Sequence, residues 1–315
     1  MNKIAIVFPG QGSQSVGMGK EFYDSFPIAR EIFDQANQEL GFSLTELCFS
    51  GPEDKLKQTI NAQPALFTVG YIAYRLLGEQ GINPAVVAGH SLGEYTALVA
   101  AGVFDFETGL KLVAERGKLM QSAGTDNPGS MAAVLGMTEP EILDVCKQAE
   151  STGYVGVANY NCPGQIVITG SVAGVAKAVE LITAQGKKAI PLPVSGAFHS
   201  PLMESAAKPL TALIEQQQFQ NPNIAVVPNV TAEYASDAGS IKAALVKQML
   251  SPVLWEASVR KMINTGITCV VEAGIGKVLC GMVKRIDRQV IALNIENSSS
   301  LNTSIQSIKE KQLCS

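Results

Sequence analysis

The sequence predicts an α/β fold with a mainly parallel sheet and a small inserted β-α-β-β-α-β unit, and three observations carry that expectation. Buried-strand runs alternate with helical patterns through the first part of the chain. The rhythm changes from about Ser130, and the alternation returns after residue 197.

Residues 3–8 end a run of five apolar residues at Pro9-Gly10, which reads as a buried strand leading into the loop Gln11-Gly12-Ser13-Gln14. An amphipathic helix over 28–40, a helix over 65–77 and a second buried strand over 85–88 follow, then a helix over 92–101 closed by Gly102. From Ser130 the order is strand 131–135, helix 139–150, strand 154–159, strand 165–170, helix 172–185 and strand 188–194, the split βαβ or ferredoxin-like order. Thr138 stands three residues before Glu141, a capping-box spacing, and Ser171 is placed to cap the second helix. We therefore expect a small subdomain at 126–197 inserted in a large core made of 1–125 and 198–315. That core resumes with a helix at 201–217, a strand at 225–227, helices at 241–250 and 253–265, and a strand at 269–272; the tail after Asn294 is Ser-rich, polar and weakly helical.

Bulk properties narrow the function classes. At roughly 100–200 residues per domain, 315 residues allow two domains, or one large domain with an insertion. With 46% hydrophobic and 17% charged residues the chain has the composition of a globular protein rather than a disordered one. A net charge of −4 supplies no global basic field for nucleic acid or an anionic membrane. The six cysteines, Cys48, Cys146, Cys162, Cys269, Cys280 and Cys314, include no C-x-x-C pair, which argues against zinc and a disulfide framework. The apolar N-terminal run is too short for a signal-peptide core, and no run approaches the ~20 residues of a membrane span. A soluble, cytoplasmic protein is the expectation.

Gly89-His90-Ser91-Leu92-Gly93 is a G-x-S-x-G pentapeptide lying between a predicted strand and a predicted helix. Small residues flank the serine because a sharp strand-to-helix turn leaves no room for side chains, and the turn lifts the hydroxyl clear of the sheet. The helix N-terminus beneath offers free N–H groups and a positive dipole end for a developing oxyanion. A serine needs a base, and the chain has two histidines. His90 adjoins Ser91 inside the turn, where consecutive side chains diverge, and reads as structural. His199, in Ser195-Gly196-Ala197-Phe198-His199-Ser200 just past the insertion, is then the candidate base. No carboxylate stands out as a third member, and a backbone carbonyl could orient the imidazole equally well.

These motifs together resemble the malonyl-CoA:acyl carrier protein transacylase family. They are Phe8-Pro9-Gly10-Gln11-Gly12-Ser13-Gln14, the 89–93 elbow, Arg116-Gly117, Ala197-Phe198-His199, and Lys247-Gln248 ahead of Pro252 and Trp255. The resemblance spans about residues 4–290 and implies a hydrolase-like core with a ferredoxin-like insertion. It implies Ser91 as nucleophile, His199 as general base, the N–H groups of Gln11 and Leu92 as oxyanion hole, and Arg116 as the grip on a malonyl carboxylate. It also implies a main-chain carbonyl near Gln248 holding the histidine. By periodicity alone Arg116 falls at the edge of a buried helical stripe, where an arginine that snorkels to solvent is the commoner case. In related acyltransferases Ala-Phe before the histidine goes with malonyl over branched units, which makes Phe198 a selectivity residue.

Two positions depart from the family pattern: Ile275 where proline is frequent, and Gly196 ahead of Ala197. The resemblance implies coenzyme A thioester and acyl carrier protein as partners and no cofactor; a monomer is expected. Acidic carriers would need a basic landing patch, for which Lys187-Lys188 and Lys284-Arg285-Arg288 are candidates beside the alternative of a solvated surface. Two other readings stay open at this point: a serine thioesterase or hydrolase with the same nucleophile and base, and a non-catalytic carrier-protein-binding subunit. Arg116 discriminates the first, because a hydrolase of neutral acyl chains has no use for a cation in its pocket.

Overall fold

The computed structural model describes residues 3–313, so Cys314 lies outside the described residues. Two sheets organise it. The larger has five parallel strands in the order β7-β2-β1-β8-β9, with β1 Ile4–Phe8, β2 Val86–Gly89, β7 Ala225–Val226, β8 Cys269–Ala273 and β9 Ile291–Ile295. β1 runs through the middle and is buried along its whole length. Ile4, Ile6 and Phe8 pack into one apolar layer with helix Thr59–Glu79, and Ala5 and Val7 pack into another with Trp255 and Val259 of helix Trp255–Asn264. Burial on both faces is the physical reason a continuous apolar run, not an alternating one, marks this strand.

The smaller sheet is antiparallel in the order β4-β5-β3-β6, with β3 Gly129–Leu135, β4 Val155–Cys162, β5 Gln165–Ser171 and β6 Lys188–Pro191. In chain order this is β-α-β-β-α-β with the first strand central, the ferredoxin-like arrangement. Its helices Glu139–Ala149 and Val172–Ala184 cover one face through Ile142, Val145, Val175 and Ile182. The Glu141 carboxylate accepts from the Thr138 N–H at 2.6 Å and from its hydroxyl at 2.8 Å, and the Ser171 hydroxyl accepts from the Gly174 N–H at 3.1 Å. The small sheet is tied to the core through β4: the Tyr160 N–H donates to the Val253 carbonyl at 2.9 Å and the Val253 N–H to the Ala158 carbonyl at 2.8 Å.

The structure differs from the sequence reading in several elements. The second long helix starts at Thr59 and carries Pro64 inside it. Helix Val278–Ile286 and strand β9 were not expected. β9 is an edge strand, half-buried over most of its length, and so lacks the fully apolar signature of β1. The polar tail forms a full helix, Ser298–Glu310, which buries Leu301 and Ile308 and is capped by Asn297. Among the described residues no helix is long and apolar enough to cross a membrane.

The turn after β2 is the tightest point of the fold. A Cβ on Gly89 would sit 1.9 Å from the Gly93 carbonyl carbon, and one on Gly93 would sit 2.1 Å from the Phe8 carbonyl oxygen. Helix Gly93–Ala100 therefore rests directly on β1 and β2. Gly89→Ala is expected to destabilise the protein by more than about 3 kcal/mol, since the clash is with backbone that cannot turn aside. A urea titration checks this, and a loss below about 1 kcal/mol would mean the elbow can relax.

Candidate active site

Ser91 lies where the sheet delivers it, between the end of β2 and the start of the helix, at a φ of 52°. A non-glycine residue in this region costs on the order of 1–3 kcal/mol and persists only when its surroundings hold it. Here they do so through both peptide groups. The Ser91 N–H donates to Asn229 Oδ1 at 2.8 Å, and the Ser91 carbonyl accepts from Gln248 Nε2 at 2.9 Å. Asn229 is itself fixed, because its Nδ2 donates to the Gly89 carbonyl at 2.6 Å.

The Ser91 hydroxyl has two partners. His199 Nε2 lies 2.8 Å away, and Arg116 Nη2 donates to the same oxygen at 3.0 Å. His199 Nδ1 lies 3.1 Å from the carbonyls of both Gln248 and Ser251. A carbonyl only accepts, so Nδ1 carries the hydrogen and Nε2 is left with the lone pair that faces the serine. The orienting group is main chain, which is why no acid was visible in the sequence. Burial, the positive charge of Arg116 and His90 hold the His199 pKa down, to about 3, against the smaller opposing effect of the two carbonyls. The imidazole is therefore neutral, and able to accept a proton, at any ordinary pH.

Arg116 is not a snorkelling side chain. It is 1% exposed, in the middle of helix Phe106–Asp126, and its guanidinium lies 5.5 Å from the centre of the Tyr95 ring. Its Nη1 donates to Gln63 Oε1 at 2.9 Å and its Nη2 to Gln248 Oε1 at 3.1 Å. Gln63, Gln248, Asn229 and Glu94 complete this polar cluster, and of these only Gln248 was singled out from sequence. A single Glu in the otherwise uncharged, fully buried helix Gly93–Ala100 was the signal available for Glu94. Asn229 and Gln63 gave none.

The serine opens on a cleft of about 240 Å³ between the two sheets, lined by Gln11, Leu92, Arg116, Phe198 and His199 among others. The main-chain N–H groups of Gln11 and Leu92 donate to no acceptor among the described residues, and both border the cleft beside Ser91. Phe198 is buried at its wall, and a Cβ on Gly196 would come 2.5 Å from the Phe198 ring. The glycine that departs from the family pattern is thus what lets this ring sit where it does. His90 has partners away from the serine hydroxyl: its Nε2 lies 2.8 Å from Asn161 Oδ1, and its ring packs 5.6 Å from that of Trp255.

An elbow serine paired with a neutral imidazole, with a buried cation on the same cleft, defines an α/β serine acyltransferase. A family profile described as an acyl transferase domain matches residues 5–309. The malonyl CoA-acyl carrier protein transacylase of Bacillus subtilis (strain 168) is 43% identical over 313 residues, covering 99% of this chain and 99% of that protein. The crystal structure of the transacylase from Clostridium perfringens superposes with a TM-score of 0.95 at 39% identity, covering 99% of this chain and 98% of that one. A malonyl-transacylase solved in complex with its type II polyketide acyl-carrier protein superposes with a TM-score of 0.94 at 39% identity, over 97% of this chain and 99% of that one. The chain belongs to the malonyl CoA-acyl carrier protein transacylase family.

The depressed basicity of His199 gives a direct check. Its ring carbons and nitrogens, followed by NMR in selectively labelled protein, should show no protonation between pH 8 and pH 5. An unperturbed histidine would titrate near 6.5, and a transition there assigned to His199 would contradict the buried, cation-facing site described above.

Proposed function

We propose that the chain moves a malonyl group from coenzyme A to the phosphopantetheine thiol of acyl carrier protein by way of a malonyl ester on Ser91. The observation that carries this reading is the sharing of one hydroxyl oxygen between a neutral base and a buried guanidinium, at 2.8 and 3.0 Å. In the first half-reaction the Ser91 oxygen attacks the thioester carbonyl as its proton passes to His199 Nε2. The resulting oxyanion is held by the N–H groups of Gln11 and Leu92, each such donor worth roughly 3–4 kcal/mol of transition-state stabilisation. The thiolate of coenzyme A leaves with the proton that His199 returns. The second half-reaction runs the same steps in reverse order, with the carrier thiol as nucleophile. No metal or redox group enters the proposed cycle.

Arg116 accounts for the dicarboxylic acyl group. A planar guanidinium binds a carboxylate through paired, charge-assisted hydrogen bonds and keeps its charge when desolvated. Placed in this pocket, the malonyl carboxylate would draw Arg116 away from the serine oxygen. It would also cancel part of the positive charge that depresses His199, so the base would strengthen as the correct substrate binds. A neutral acyl group would do neither, which disfavours the thioesterase reading. Intact Ser91, His199 and Arg116 in contact argue against a purely scaffolding role.

The thiols of Cys48, Cys146, Cys162 and Cys280 are in no disulfide, which supports a reducing, cytoplasmic setting. The sequence candidates for carrier docking, Lys187, Lys188, Lys284, Arg285 and Arg288, are all exposed. Arg285 donates to Gln165 Oε1 at 3.2 Å on the small subdomain side, and Lys284 donates to the carbonyls of Val290 at 2.6 Å and Arg288 at 3.3 Å along its own surface.

Brief mixing with malonyl-CoA should add one malonyl mass to the wild type and none to Ser91→Ala, and acyl carrier protein should then remove it. Arg116→Ala should lower kcat/KM for malonyl-CoA by roughly 10²-fold, the value of about 3 kcal/mol in charge-assisted hydrogen bonds, and leave acetyl-CoA far less affected. Intact-protein mass spectrometry and steady-state kinetics report these. Rapid release of free malonate with no adduct would point to hydrolysis instead.

A further inference from the structure

The polar cluster behind Ser91 contains a second buried charge that the cycle above does not use. Glu94 is 1% exposed. Its Oε2 accepts from Gln248 Nε2 at 2.9 Å and from the Asn229 N–H at 3.1 Å, while its Oε1 has no partner. Arg116 is equally buried, yet all its hydrogen-bond acceptors, Gln63 Oε1, Ser91 Oγ and Gln248 Oε1, are neutral oxygens. A buried cation and a buried anion are thus joined through one side-chain amide, whose oxygen faces the guanidinium and whose nitrogen faces the carboxylate.

We propose that Glu94 is the countercharge of Arg116, relayed through Gln248, and that it acts as a positioning residue for both Arg116 and Ser91. This rests on the reading of Arg116 as the carboxylate grip. An isolated guanidinium in this interior would be severely destabilised, so some anion must balance it. A carboxylate in direct contact would do so by occupying the fork that the substrate needs. The relay balances the charge at one amide's remove and keeps a carboxylate off the guanidinium itself. An ionised carboxylate only accepts, so it also dictates which way the Gln248 amide points. That direction sends one Nε2 hydrogen to Glu94 and the other to the Ser91 carbonyl, while Asn229, held by the same Oε2, takes the Ser91 N–H. Both peptide groups of the strained serine are therefore clamped by residues that Glu94 fixes.

Glu94→Gln separates charge from geometry, because the amide oxygen can replace Oε2 toward Gln248 and Asn229 while its NH₂ takes the partnerless Oε1 position. The charged or titratable groups of this cluster are Arg116 from helix Phe106–Asp126, Tyr95 on the same helix as Glu94, and His199 and His90 from the site. Arg116 stays cationic; Tyr95 is pushed up to about 12, His199 is held at about 3, and burial pulls His90 down from its usual value. Burial raises Glu94 to about 7 against the opposing pull of Gln248, Asn229 and Arg116, which leaves it the group that gains or loses charge between pH 5.5 and 8.5.

Calorimetric titration with free malonate tests the proposal without turnover. At pH 8.5 the unbalanced Arg116 of Glu94→Gln should bind malonate roughly tenfold more tightly than wild type, and at pH 5.5, where wild-type Glu94 is protonated, the two proteins should converge. Equal or weaker binding by Glu94→Gln at pH 8.5 overturns it, whereas no malonate binding by wild type would sink the carboxylate-grip reading instead. Should Glu94→Gln fail to fold, the double variant with Arg116→Gln should fold again, since the isolated cation is gone; failure of the double variant as well would overturn the proposal.

Discussion

The structure depends on one backbone constraint: Ser91 must hold a φ of 52° in a turn with no room for a side chain at Gly89 or Gly93. That conformation lifts the hydroxyl off the end of β2 and into the cleft, and it is unfavourable when unsupported. The support comes from far along the chain, from Asn229 beyond β7 and Gln248 at the end of helix Ala238–Gln248, each bonded to one peptide group of the serine. Gln248 also offers its main-chain carbonyl to His199. One residue thus fixes Ser91 through its side chain and His199 through its backbone, which couples their relative placement.

Electrostatics then decides what the serine can do. A cation within hydrogen-bonding distance of a hydroxyl both stabilises an alkoxide there and weakens a neighbouring base. Here burial first and then the same charge lower the His199 pKa, and the guanidinium is of a kind that pairs with carboxylates. In the proposed cycle binding and catalysis are therefore linked: a carboxylate held by Arg116 would also remove part of the charge that weakens His199. Selectivity in such a site would be expressed in the rate of acylation as well as in affinity.

Much of the architecture was legible because its signals are local. A continuous apolar run ending at Pro9-Gly10, the small residues around Ser91, and the Thr138–Glu141 spacing each reflect a constraint within a few residues, and each element formed where expected. β9 escaped because an edge strand half-open to solvent carries no distinctive periodicity. Ser91 and His199 could be found by residue type and motif, and the arginine by its family motif. The orienting groups of His199 could not, since every residue has a carbonyl and only the fold selects those of Gln248 and Ser251. Asn229 and Gln63 are ordinary amides whose importance arises from contacts 138 and 53 residues away in sequence. Periodicity placed Arg116 beside the buried stripe, but whether its tip turned inward or outward depended on Gln63, Tyr95 and Gln248, which lie on other helices.

The most direct test of this account is a crystal structure of the malonyl-enzyme, trapped with malonyl-CoA in the absence of carrier protein. The account predicts an ester on Ser91 with its carbonyl oxygen between the N–H groups of Gln11 and Leu92, its carboxylate bound to the Arg116 guanidinium, and the Arg116–Ser91 oxygen contact broken. A malonyl group on another residue, or one on Ser91 whose carboxylate points to solvent while Arg116 stays on the serine oxygen, would contradict it.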